Sequence, residues 1–279
     1  MGRQNHTEPG RNLLARCCGA GVAFTATMGA CAWGIACLKR IRPRCRRTMF
    51  GTAWTYETRT DQGEQLRMLV VDGACQGASY HGEKWNTLPF EYLRAFDRMF
   101  AMGKYIERVL LIGGGGFAYP KHLLTRRPDV SMDVLEPDAK VIGIALEEFH
   151  LNRLLDECPD RIRIIQSTGQ KWLEGSDDCY DAIVNDAFTG FDPVRDMVDA
   201  AFLEKAKSHL LPGGLYLANV VTYPKLGDYS HLECAVEALK GIFASVQAIP
   251  TNDEAFSDEE NYLVIASDSP LDFTDAIAL

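Results

Sequence analysis

Residues 108–121 read RVLLIGGGGFAYPK, an apolar run that stops at four consecutive glycines before PKHLLTRR begins. The run has the length and the Val, Leu and Ile content of a strand buried on both faces. Glycines accept positive φ and let other groups approach the backbone closely. Pro120 fits the first turn of a following helix. The stretch therefore reads as strand, tight turn, helix.

The chain downstream repeats that alternation. SMDVLEPD reads as a strand, AKVIGIALEEFHL as a helix, RIRIIQS as a strand and DAIVNDAF as a further strand. MVDAAFLEKAKSHL is a helix, PGG a turn and LYLANVV a strand. A helix at SHLECAVEALKGIF precedes strands near FASVQAIP and NYLVIAS. Helices between strand runs imply parallel crossovers and a doubly wound, mostly parallel α/β sheet covered on both faces. The last two strands lack a helix between them, which predicts an antiparallel edge.

Upstream, residues 51–85 form a small β-rich segment. TAWTYETRT and LRMLVVDG are strand-like and joined by the turn DQGE, with ACQGASYHG following. In LPFEYLRAFDRMFAMGKY, Phe90, Leu93, Phe96 and Phe100 mark one helix face. The α/β domain then occupies residues 86–279, and residues 1–50 form a basic extension.

The 279 residues carry a net charge of −9, which hides two opposite regions. Residues 1–50 contain nine Lys or Arg against one Glu, a charge of +8, which leaves −17 for the remainder. An acidic body argues against nucleic acid as a partner and is compatible with a cationic small molecule. The nine cysteines form no CxxC pairs or Cys/His cluster, so no metal site is expected. Cys75, Cys158, Cys179 and Cys234 read as apolar fillers in a reducing compartment.

Residues 17–38, CCGAGVAFTATMGACAWGIACL, carry no charge and are followed by KRIRPRCRR. Three readings stand: a membrane segment, a secretory signal, or an extension that does not insert. In the first, the basic flank keeps the acidic domain on the cytoplasmic side, anchored to the inner face of the membrane.

In a doubly wound sheet the ligand lies beyond the C-terminal ends of the strands. Gly113, Gly114 and Gly115 can bring backbone against a cofactor there. Glu136, roughly twenty residues beyond the turn, ends the next strand, where an acid accepts the hydroxyls of a ribose. Close strand–helix packing without a ligand is the alternative for the glycines. Asp138 reads as a helix N-cap. Asp186, in AIVNDAFTG, puts a carboxylate beside the same cleft, to deprotonate a substrate, bind a cation or brace the loop, with Asn185 in support. Gln76 and Tyr80 can reach across from the β-rich segment or serve as loop residues. His81, His122, His150 and His231 lack metal-ligand spacing, and His122 and His150 fall on helix surfaces. A nicotinamide-dependent reductase would share the glycines and Glu136, but Asp186 and the PGG-then-strand ending fit a methyltransferase-like topology better.

Taken in order, VVDGACQG, FEYLRAFD, RVLLIGGGGF, MDVLEPD, IVNDAFTG and LLPGGLYLANV resemble the spermidine synthase family over roughly residues 55–268. The resemblance is closest to a bacterial branch in which some proteins are fused to membrane transporter domains. It implies the fold of S-adenosylmethionine-dependent methyltransferases, a small β domain helping to cover the active site, and homodimers. It also implies transfer of an aminopropyl group from decarboxylated S-adenosylmethionine to a diamine, with no tightly bound cofactor. By the same resemblance, Gly113–Gly115 match the donor loop, Glu136 the ribose-binding acid, Gln76 a substrate-binding glutamine and Asp186 the first aspartate of the DxxD-type loop. Three family acids are replaced. The aspartate of GGGDG is Gly116, the second loop aspartate is Thr189, and an adenine-binding aspartate falls at Thr168. Three functions follow: aminopropyl transfer, methyl transfer from S-adenosylmethionine, or a non-catalytic domain binding a ligand or membrane partner.

Overall fold

The computed structural model describes residues 43–277 apart from 61, 102, 190–191, 194–198, 224–227 and 252–259. Residues 17–38 lie outside the described residues, among which no helix is long and apolar enough to cross a membrane.

Four strands, β1 (Arg44–Thr48), β2 (Gly51–Arg59), β3 (Gln65–Val71) and β4 (Ala74–Tyr80), form an antiparallel sheet in chain order. Part of the basic stretch after residue 38 is thus an edge strand of this sheet. Arg46 pairs with both Glu147 and Glu148. Arg44 lies 3.3 Å from Glu148, whose second oxygen accepts from Thr55 at 2.8 Å. A buried carboxylate is tolerated there because guanidinium groups and a hydroxyl from the small sheet surround it.

A short helix α1 (Glu91–Ala95) runs into a 3₁₀ turn, Phe96–Phe100. The apolar spacing is used as read at Phe90, Leu93 and Phe96, which are buried. Phe100 is half-buried and carries the Arg127 guanidinium over its ring, 4.0 Å from the centroid.

The α/β domain follows as β5 (Arg108–Ile112), α2 (Ala118–Arg126), β6 (Ser131–Leu135), α3 (Ala139–Glu148), α4 (Leu151–Glu157), β7 (Ile162–Ile165), α5 (Gly169–Gly175) and β8 (Tyr180–Asn185). Two short strands, β9 (Phe188–Thr189) and β10 (Asp192–Pro193), pair antiparallel before α6 (Ala200–Ser208). The chain then forms β11 (Leu210–Thr222), α7 (Ser230–Lys240), β12 (Ser245–Pro250) and β13 (Glu260–Ser267). The seven-stranded sheet has the order β12-β13-β11-β8-β5-β6-β7. Strands β11, β8, β5, β6 and β7 are mutually parallel, and β13 is antiparallel to both its neighbours. The expected antiparallel ending is present, with β13 inserted between β11 and β12. The central strand β5 sends Val109 and Leu111 into one core and Leu110 and Ile112 into the other. Burial on both faces is why its sequence shows no polar alternation.

Asp138 caps α3 by accepting from the Lys140 amide at 2.7 Å, as its position suggests. His122 and His150 correct the surface reading. His122 is buried in α2 and meets Asp97 at 3.0 Å through Nε2. His150 precedes α4 at φ +60° and packs edge-on to His81 and Trp85, with ring centroids 5.9 and 6.4 Å away. Burial, ahead of the nearby Lys121 charge, holds the His150 ring down to about pKa 4. The small sheet meets α2 through Ser79 and Lys121, and the 3₁₀ turn meets it through Asp97 and His122, on faces that local periodicity assigns to solvent.

Lys121 lies in this interface, fully buried, donating from Nζ to Ser79 Oγ on β4 and to the Phe149 carbonyl, both at 2.8 Å. Burial brings its ammonium down to about pKa 7. The unfolded chain keeps that proton to a higher pH than the native state, so stability rises as pH increases between the two values. Relative to Lys121→Met, the native protein is expected to gain about 2–4 kcal/mol from pH 7 to pH 10 in urea denaturation. Parallel pH profiles for the two proteins would refute this.

Candidate active site

The turn after β5 lies where the strand order changes direction. From β5 the chain steps outward to β6 and β7, then returns to place β8 and β11 on the other side. Such a switch point opens a crevice at the C-terminal strand ends. Gly113 has φ +105° and Gly115 φ +47°, conformations that favour glycine. The turn is also crowded. A Cβ on Gly113 would overlap the Asp186 carbonyl oxygen and stand 2.9 Å from its carbon. One on Gly114 would meet the Phe117 ring at 2.8 Å and Glu136 Cβ at 3.1 Å. One on Gly115 would overlap the carbonyl oxygen of Gln76. Three chain segments thus converge on the turn: β4 and the start of the loop after β8 by backbone, and the end of β6 through the Glu136 side chain.

Glu136 is buried beneath this turn. Its Oε2 accepts from the amides of Gly114 at 3.3 Å and Gly115 at 3.2 Å, and its Oε1 from the amide of Asp138 at 3.0 Å. Burial raises its pKa, and these three amides oppose the rise. The acid therefore organises the turn.

Asp186 directly follows β8, and its amide donates to the Ile112 carbonyl at 2.9 Å. Its side chain keeps partial exposure but lies deep among protein atoms, which pushes the carboxyl up to about pKa 7. One donor opposes that rise: Asn219 Nδ2 gives a 2.9 Å hydrogen bond to Asp186 Oδ1. Asn219 Oδ1 in turn accepts from Asn261 Nδ2 at 2.9 Å. Asn185 points elsewhere, donating to the Tyr216 hydroxyl at 2.9 Å and accepting from the Ala187 amide at 3.3 Å. The structure thus brings Gln76, Gly113, Gly114, Gly115, Glu136 and Asp186 around one turn, with Gln76 meeting it through its main chain. Among the described residues, no group of three or more His, Cys, Asp or Glu could hold a metal ion.

This arrangement can be set beside known proteins. No family model matches the chain. Over 120 residues it is 29% identical to a "probable polyamine aminopropyl transferase" of Bifidobacterium longum, covering 43% of this chain and 25% of that protein. Over 160 residues it is 29% identical to a polyamine aminopropyltransferase of Vibrio vulnificus, covering 55% of this chain and 51% of that one. The fold superposes on a probable spermidine synthase from Corynebacterium glutamicum with TM-score 0.67 at 19% identity, over 82% of this chain and 81% of the other. The chain is a distant family-level match to the polyamine aminopropyltransferases. It spans at most about half the length of the two curated relatives.

The α/β sheet with a small antiparallel sheet ahead of it is the architecture these structures share. Two of the positions that depart from the family pattern, Gly116 and Thr168, have surroundings that can be described. At Gly116, where the resemblance expects an aspartate, a Cβ would stand 3.3 Å from the Phe149 ring, a tight contact, and 3.5 Å from Gly77 Cα, an ordinary one. Thr168 is the exposed N-cap of α5, accepting from the Lys171 amide at 3.2 Å. Thr189 lies in β9, and its side chain falls outside the described residues. Sequence reasoning missed Asn219 and Asn261, although the polar residue inside the apolar run LYLANVV was a readable signal; Asn261 stands at the start of NYLVIAS, where a polar residue is ordinary.

Proposed function

We propose that this chain is a transferase of the aminopropyltransferase type, moving a carbon group from an S-adenosyl sulfonium to an amine. The observation that carries the reading is Asp186, whose main chain lies against the glycine turn at the switch point and whose buried carboxyl, held by Asn219, sits near pKa 7. A base with this affinity is matched to taking a proton from an amine near neutral pH. The amine nitrogen attacks the carbon beside the sulfonium, the carbon–sulfur bond breaks, and sulfur leaves as a neutral thioether. The proton lost by nitrogen goes to Asp186. Glu136 is expected to take a ribose hydroxyl on Oε1, which spends one lone pair on the Asp138 amide and keeps another. Gln76 is expected to contact the acceptor. The family-level match supports decarboxylated S-adenosylmethionine as donor and a diamine as acceptor.

Gly116 favours a second reading of the donor. With no carboxylate at that position, a donor's amino group loses a partner and a donor carboxylate loses a repelling charge. Intact S-adenosylmethionine, and hence methyl transfer, is the alternative. Matched calorimetric titrations of the full chain with both donors, followed by mass spectrometry with a diamine panel, separate the two. Aminopropyl transfer predicts a methylthioadenosine product, and methyl transfer predicts S-adenosylhomocysteine. Binding of neither donor would refute both.

A further inference from the structure

Two buried amides at the end of the sheet have no part in the chemistry just described. Asn219 on β11 and Asn261 on β13 are both buried, and they sit diagonally on one face of the antiparallel pair. Asn219 is opposite Leu263, and Asn261 is opposite Val221. Their neighbours on that face, Leu217 and Leu263, belong to the apolar core. Placing two amides there costs free energy unless their hydrogen bonds are made. The bonds that are made run in one direction, Asn261 Nδ2 to Asn219 Oδ1, then Asn219 Nδ2 to Asp186 Oδ1.

We propose that Asn219 and Asn261 are positioning residues for Asp186, a two-amide relay that turns Oδ1 toward the sheet and leaves Oδ2 for the acceptor. The role in transfer rests on the function proposed above, whereas the relay itself is defined by hydrogen bonds within the sheet.

Direction is what makes the relay specific. A carboxylate demands a donor, so Asn219 must present its NH₂ group to Asp186 and its carbonyl oxygen to Asn261. Asn261 supplies the complementary donor and so holds Asn219 in that orientation. Without Asn261, the Asn219 amide is free to turn its oxygen toward Asp186, where it suits only a protonated carboxyl. No charged side chain among the described residues contributes to the carboxyl's affinity, which is set by burial and the Asn219 amide. The adjacent acid, Glu260, accepts from the Tyr262 hydroxyl at 3.2 Å and stands outside the relay. Among the described residues Asp186 Oδ2 has no donor. In this arrangement Oδ2 is the oxygen that meets the amine.

The test is a pH titration of the full chain carrying ¹³C-labelled aspartate, with Asp186→Asn assigning the resonance. Asn219→Leu is expected to raise the Asp186 midpoint by about one pH unit, tenfold in proton affinity. Asn261→Leu, which touches Asp186 only through Asn219, is expected to raise it by about half a unit. If the leucine variant does not fold, Asn261→Val supplies a β-branched residue suited to a strand interior. A midpoint unchanged in the folded Asn261 variant overturns the relay, because a merely structural amide would alter stability and leave this titration in place. No donor or acceptor is present in the titration, so its failure is distinguishable from failure of the transferase reading.

Discussion

Gly113→Ala is expected to destabilise the protein by about 3 kcal/mol or more, among the largest effects of any single methyl group added to this fold. Two costs combine. Gly113 has φ +105°, which an L-residue rarely adopts. The added Cβ would also overlap the Asp186 carbonyl oxygen and stand 3.3 Å from Ala187 Cα. Both neighbours are backbone, so no side-chain rotation relieves the clash. The loop after β8 must move, although its Asp186 amide is tied to the Ile112 carbonyl. Gly143 supplies the contrast. It lies within α3 with open space for 4 Å around the point an added methyl would occupy, and Gly143→Ala is expected to stabilise by about 0.5–1 kcal/mol. Urea midpoints measured at constant m would decide both, and a wild-type midpoint for Gly113→Ala would remove the crowding argument.

Asp186→Asn is expected to move activity and stability in opposite directions. With Asp186 as the base of the proposed transfer, its loss should lower the rate by about 10²- to 10⁴-fold. Stability should rise, for a reason that can be signed. The folded carboxyl titrates near 7, above its unfolded value, so the native state binds more protons than the unfolded chain between about pH 4 and 7. Native stability therefore falls as pH rises through that window. The asparagine variant escapes this loss and keeps an oxygen for Asn219. Its advantage is expected to be about 1–3 kcal/mol above pH 7 and to vanish as pH falls toward 4. Thermal unfolding at pH 4.5 and pH 8, with thioether release followed by mass spectrometry, checks both halves. A variant stabilised equally at both pH values would show that burial of the charge is not the cause.

The amino-acid sequence by itself determined the doubly wound sheet and the places where its strands end. Both depend on local pattern: RVLLI is apolar throughout because both its faces are covered, and the glycines mark where it stops. Gly113, Gly114, Gly115, Glu136 and Asp186 could be named because strand ends in this topology converge on one switch point. The antiparallel ending was legible too, but the insertion of β13 between β11 and β12 was not, since pairing order is a long-range choice.

Tertiary structure alone decided what lies against those ends. Carbonyl groups of Gln76 and Asp186 fill the space that missing side chains leave on Gly115 and Gly113. Lys121 is buried where the small sheet meets α2 through Ser79, and His122 where the 3₁₀ turn after α1 meets it through Asp97, faces that periodicity assigns to water. Asn219 meets Asp186 only because β11 pairs beside β8, and Asn261 joins them because β13 pairs beside β11. Helical and strand periods report the surroundings of a residue within its own element. Burial, proton affinity and the direction of a hydrogen bond are set by whichever distant segment packs across from it.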